Sequence, residues 1–183
     1  MNIFTVTLIL ALGVMAFGYT YKPTLKNLEE ALKTSKEIWM PYRSYELKKP
    51  EGKQTCNNVM LTGHTDYKYN FTQRFMYGPQ RGHKELLVDI KIGAGNEPEL
   101  TVSNTTGGSV LYTMRSWDPD NHCFILTFQG NRKTECEMHV WDEDIEKLEN
   151  PPLHSCMTDF ERLCEGRKFL LYSSVCKQTL REV

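Results

Sequence analysis

The chain has 183 residues, 40% hydrophobic and 25% charged, which suits one domain with a sizeable core. Its 22 basic and 23 acidic residues nearly cancel, without the single-sign runs that mark nucleic-acid or anionic-membrane binders. It carries no Gly-Lys-Ser/Thr, His-Glu-x-x-His or Gly-x-Ser-x-Gly motif, so nothing points to phosphate-loop, zinc-protease or serine-hydrolase chemistry.

Met1–Gly18 has no charged side chain, holds the apolar run Phe4–Phe17 and closes on Ala16-Phe17-Gly18, a small-x-small cleavage triplet. This is the pattern of a secretory signal peptide, although Lys and Arg are missing from its start. The apolar run is shorter than the ~20 residues of a membrane-spanning helix. The expected product is a single secreted domain over 19–183, in which six cysteines read as three disulfides. Asn70-Phe71-Thr72 and Asn104-Thr105-Thr106 are glycosylation sequons.

Leu25, Leu28 and Leu32 recur at helical spacing among charged residues, which predicts an amphipathic helix from Pro23 to about Lys36. From Ile38 the period changes to two. Eight strands are predicted over 38–47, 55–63, 67–77, 84–92, 100–103, 109–117, 123–129 and 135–141, separated by turn chemistry such as Gly78-Pro79 and Gly93-Ala94-Gly95-Asn96. After the break at Pro151-Pro152, Leu153–Leu163 has helical spacing and Lys168–Val175 reads as a final extended run. Eight short strands mean a mainly β fold, an antiparallel up-and-down barrel or a sandwich. Five of the cysteines lie between Cys123 and Cys176. Cys56 therefore pairs into that stretch and draws the C-terminal third back onto the first third.

The faces of the strands suggest what the interior holds. On strand 67–77, Tyr67, Tyr69, Phe71, Phe75 and Tyr77 share a side opposite Asn70, and a glycan on Asn70 would have to face water, so the aromatic side is expected inward. On strand 123–129 the apolar side is Phe124, Leu126 and Phe128. On strand 135–141, alternation puts Met138 and Val140 inside, with Glu137 and His139 outside. Trp39 and Tyr45 share a side of strand 38–47, and Tyr112 is an aromatic candidate on strand 109–117. Glu85 and Asp89 form a charged row with Leu87 and Lys91 that reads as solvated. An eight-stranded barrel is just wide enough to be filled by side chains or to hold one small ligand.

With these elements in place, the chain resembles the histamine-binding salivary lipocalins of ticks, within the calycin superfamily. That family's amine-binding signature runs Cys-Asp-aliphatic, then Glu-Leu-Trp/Tyr, then Cys; this chain has Cys123-Phe124-Ile125, then Glu137-Met138-His139, then Cys156. The resemblance implies an eight-stranded up-and-down barrel with a helix at each end. It also implies bridges Cys123–Cys156 and Cys56–Cys176, which leaves Cys136–Cys164 as a third. It turns Glu137 inward, against the alternation reading, because a buried ammonium needs an opposite charge. The chain departs from the pattern in having Phe124 for the aspartate and His139 for the aromatic residue.

The resulting expectation is a non-enzymatic binding protein that needs no cofactor and no metal, since His64, His83, His122, His139 and His154 are scattered without ligand spacing. The resemblance implies that it captures a small host mediator and suppresses inflammation or immunity during feeding. The mediator is either a biogenic amine such as histamine or serotonin, or a hydrophobic molecule such as a sterol, fatty acid or leukotriene. The candidate lining residues are Trp39, Tyr45, Tyr69, Phe71, Phe75, Tyr112, Phe124, Leu126, Phe128, Glu137 and His139. The alternative is an inhibitor of a host immune protein or cell, acting through loops such as 93–98 or 118–122 with an incidental cavity.

Overall fold

The computed structural model describes residues 22–148 and 155–181. The expected leader Met1–Gly18 and the Pro151-Pro152 break lie outside the described residues. The chain forms helix α1 (Leu25–Leu32), then strands β1 (Ile38–Arg43), β2 (Lys48–Lys49), β3 (Gly52–Thr65), β4 (Lys68–Tyr77), β5 (Gln80–Ile92), β6 (Pro98–Asn104), β7 (Ser109–Asp118), β8 (Cys123–Gln129) and β9 (Thr134–Trp141). A single 3-10 turn (Ile145–Leu148), helix α2 (Ser155–Leu163), strand β10 (Phe169–Leu170) and helix α3 (Val175–Arg181) follow.

Strands β3 to β9 pair antiparallel in sequence order, and β1 closes the ring by pairing with β9 on one side and β3 on the other. Among the described residues this is a closed barrel of eight antiparallel strands, as expected. Two-residue β2 and β10 are short additions at its margin. Tight turns set the register: Gly78-Pro79 joins β4 to β5 with Tyr77 opposite Gln80.

Helix α1 plugs one end of the barrel. Thr24 caps it, its hydroxyl accepting from the Asn27 amide at 3.3 Å while Asn27 Oδ1 accepts from the Thr24 amide at 2.9 Å. Its Leu28, Ala31 and Leu32 are buried against Ile38, Tyr69, Val88, Leu100, Trp117 and Phe124. Trp141 Nε1 donates to the Ala31 carbonyl at 3.0 Å and fixes the plug to β9.

A second apolar cluster lies outside the ring, where α2 and the tail cover β8, β9 and β1. Phe160 packs there with Ile125, Met138, Val140, Trp39 and Tyr172. Cys123–Cys156 and Cys136–Cys164 fasten α2 to β8 and β9, and Cys56–Cys176 ties α3 to β3, the pairing that the resemblance implied.

Of the four register slips in the wall among the described residues, two receive the tail. Pro41 cannot donate to the ladder, and the β1–β9 register slips by one between Trp39 and Tyr42. The β3–β4 register slips likewise between Thr55 and Asn58, with Cys56 at φ +50°. The tail docks at these two places: Leu171 N donates to Pro41 O at 2.8 Å, and Cys56 N donates to Leu171 O at 2.7 Å.

Several sequence expectations need correction. The first strand ends at Arg43 rather than Leu47, and the N-terminal helix at Leu32. The final run is extended only at Phe169–Leu170, and Val175 begins a helix that the sequence reading missed. Tyr67 is not in the wall but in the exposed β3–β4 turn.

Candidate functional site

The barrel encloses a cavity of about 960 Å³, open at the end away from α1. Its deep walls are aliphatic and aromatic: Leu32, Ile38, Phe71, Leu86, Val88 and Leu100. The β6–β7 and β8–β9 turns form its rim, through residues that include Asn104, Gly108, Arg132 and Lys133. The volume is at the upper end of ordinary small-molecule sites.

Of the expected lining residues, Tyr45, Phe71, Tyr112, Phe124, Leu126, Phe128, Glu137 and His139 face this space. Trp39, Tyr69 and Phe75 do not. The slip at Pro41 reverses the parity of β1, so Ile38, Met40 and Arg43 point in, while Trp39 points out to meet Tyr172 (ring centroids 5.1 Å) and Asp142 Oδ1 (2.8 Å). Tyr69 is buried in the floor layer beside α1. The half-buried Phe75 lies over Gly82 of β5, where a Cβ would meet its ring at 2.3 Å.

Alternation along β9 failed for a clear reason. In the β8–β9 ladder Phe124 sits opposite His139 and Leu126 opposite Glu137, and directly opposed residues share a face. With Phe124 and Leu126 inward, Glu137 and His139 are inward too. Met138 and Val140, expected inside, instead face α2, so both faces of this strand are buried. The hairpin register was the available signal. Glu85 and Asp89 lie outside as expected: Glu85 accepts from Thr72 at 3.0 Å, and Asp89 is 3.6 Å from Lys68.

Glu137 is 4% exposed and fully engaged. Its Oε1 accepts from the Tyr45 hydroxyl and, at 3.1 Å, from the Tyr112 hydroxyl. Its Oε2 lies 3.1 Å from His139 Nε2, whose ring stacks on Phe124 at 4.9 Å. Burial raises the Glu137 pKa, but His139, Tyr45 and Tyr112 outweigh it and hold the carboxyl below its ordinary value, so it is ionised at neutral pH. The same pocket pushes both phenols well above their usual range, through burial first and the neighbouring carboxylate second. Phe128 packs edge-on against both rings, at 5.3 and 5.1 Å.

The sequence reading missed the polar residues of the other walls. Arg43, 1% exposed, donates through Nε to the Tyr45 carbonyl at 2.9 Å and through a terminal nitrogen to Gln54 Oε1 at 2.6 Å, with its guanidinium 4.9 Å from the centre of the Tyr45 ring. Gln73 Nε2 donates to Asn57 Oδ1 at 2.8 Å, and both side chains line the cavity, as does Lys84. Lys84 sits opposite Gln73 in the β4–β5 ladder, on the inward parity of Leu86 and Val88. Alternation reading treats such residues as solvent-facing, so no simple pattern marked them.

Elsewhere, the fold brings His122 Nδ1 within 2.6 Å of Asp144 and 3.3 Å of Glu143. Asp144 also pairs with Lys147, and the His122 ring stacks on Trp141 at 4.3 Å, which makes this a closed structural network.

No family model and no curated protein sequence matches the chain. Among solved structures it is similar to japanin from Rhipicephalus appendiculatus, in a crystal form bound to cholesterol, with TM-score 0.58 and 12% identity over 76% of this chain and 93% of japanin. The fold is a lipocalin fold. Lobster apocrustacyanin A1 also matches, with TM-score 0.46 and 9% identity over 84% of this chain and 90% of that one.

Proposed function

We propose that this lipocalin-fold chain is a binding protein rather than an enzyme, and that its barrel takes up a small, largely hydrophobic molecule outside the cell. One observation carries the reading: a cavity of about 960 Å³ with apolar deep walls, whose buried carboxylate is already occupied by three donors. Burial of an apolar ligand there would supply roughly 25 cal/mol per Å² removed from water. Japanin, similar in fold, was solved with cholesterol, which is consistent with a lipid-like guest. Three disulfides and the leader-like N-terminus support secretion. By the resemblance to tick salivary lipocalins, the molecule is a host mediator and its capture suppresses inflammation.

The inward Glu137 favours a second reading, a biogenic amine. Against it, an ammonium would have to displace His139 and two phenols from a carboxylate they already satisfy. The test is to secrete the chain from eukaryotic cells, extract it with organic solvent and identify the guest by mass spectrometry, alongside titrations with histamine, serotonin and a sterol. The expected guest is a sterol or fatty-acyl molecule, and Glu137→Gln does not weaken its binding. Tight amine binding that Glu137→Gln abolishes would replace this reading with the second. If no small molecule of either class binds, an inhibitor of a host protein becomes the leading reading.

A further inference from the structure

Cation and carboxylate numbers inside the barrel do not match. Arg43 is almost completely buried, yet its hydrogen bonds go to neutral acceptors, the Tyr45 carbonyl and Gln54, and no carboxylate pairs with it among the described residues. A buried guanidinium without a contacting counter-ion is unusual, because desolvation of a charge is offset by pairing. Lys84, exposed to solvent at the open part of the wall, also lines the cavity without a carboxylate partner among the described residues. Burial lowers the Arg43 pKa and partial desolvation at the wall lowers that of Lys84, while Glu137 opposes both shifts from a distance. Glu137 supplies a single negative charge against these two positive ones, and its oxygens are committed to Tyr45, Tyr112 and His139. At the rim, Glu135 is taken up by Ser44 and by Lys133 at 3.7 Å.

Their placement is also suggestive. In the order of the ring, β5 lies across the lumen from β9, so Lys84 faces Glu137 from the far wall while Arg43 stands beside Glu137 on β1. Below this layer Lys84 gives way along its strand to Leu86, Val88 and Ile90, an apolar shaft running down to α1.

We propose that Arg43 and Lys84 form an anion subsite for the headgroup of a long-chain carboxylate, whose tail occupies the apolar shaft. This deepens the reading of the barrel as a hydrophobic-ligand site and rests on it. A monoanion there offsets positive charge that Glu137 leaves uncompensated, and Arg43 offers it charge-assisted hydrogen bonds. The arrangement selects against a cationic ligand, which would enter a lumen already carrying excess positive charge.

The test compares three ligands of one chain length, such as oleic acid, oleyl alcohol and oleylamine, on the delipidated, fully oxidised protein by isothermal titration calorimetry at neutral pH. The acid is expected to bind on the order of tenfold more tightly than the alcohol, with the amine weakest. Lys84→Met and Arg43→Gln should each shrink the acid-to-alcohol affinity ratio. Lys84 is at the open part of the wall, so its variant decides the matter if Arg43→Gln does not fold. Equal affinity for acid and alcohol, or an acid preference that survives Lys84→Met, overturns the headgroup assignment and leaves the hydrophobic cavity standing. Failure of both acid and alcohol to bind overturns the cavity reading as well.

Discussion

Glu137 shows how a single side chain is tuned by what surrounds it. Its carboxyl is held below the ordinary value because the donors around it outweigh the cost of burial. A depressed folded-state pKa means that, below the unfolded value, the unfolded chain binds the proton more readily than the folded one. The stability this residue contributes is therefore present at neutral pH and lost as pH falls below the usual carboxylate range. Tyr45 and Tyr112 have the opposite sign: their folded-state pKa values are raised, so stability declines as pH climbs above about 10, where unfolded phenols ionise. Urea midpoints measured across pH should fall at both ends, and Glu137→Gln should flatten the acid limb selectively.

At the scale of elements, much was legible because most strands obey one periodicity and are bounded by strong turn residues. Cys123–Gln129 has its expected limits, and the N-terminal helix its expected apolar stripe. What could not be read was orientation beyond an irregularity. Pro41 and Cys56 each shift the ladder by one, and a shift of one exchanges inside for outside. Trp39 was misplaced for that reason. On β9 the error had another source: α2 covers the outer face, so an apolar face no longer means the interior. The turns make a sharper prediction. Gly78 has φ +54°, and a Cβ there would stand 2.1 Å from the Glu51 carbonyl oxygen. Gly78→Ala should therefore destabilise the protein by about 1–3 kcal/mol in chemical denaturation, whereas an alanine at the unhindered Gly63 should have little effect.

For the whole molecule, the division of labour is between a hollow centre and a cross-linked exterior. A barrel that keeps about 960 Å³ open gives up the packing contacts a filled core would supply. The outer cluster under α2 and three bridges compensate, and the longest bridge spans 120 positions of sequence. Losing Cys56–Cys176 should cost about 2–5 kcal/mol. Hydrogen exchange on Cys176→Ser should then show the Cys56 and Leu171 amides losing protection before those of β5 and β6.

The join between β1 and β3 consists of only two opposed pairs, Ile38 with Val59 and Trp39 with Asn58, and Leu171 spans the remainder. Closure of the barrel on this side therefore depends on the docked tail as well as on the sheet, and Cys56–Cys176 is the covalent link that keeps the tail in place. Reduction of that link would loosen the wall at this seam before the continuous ladders from β3 to β9.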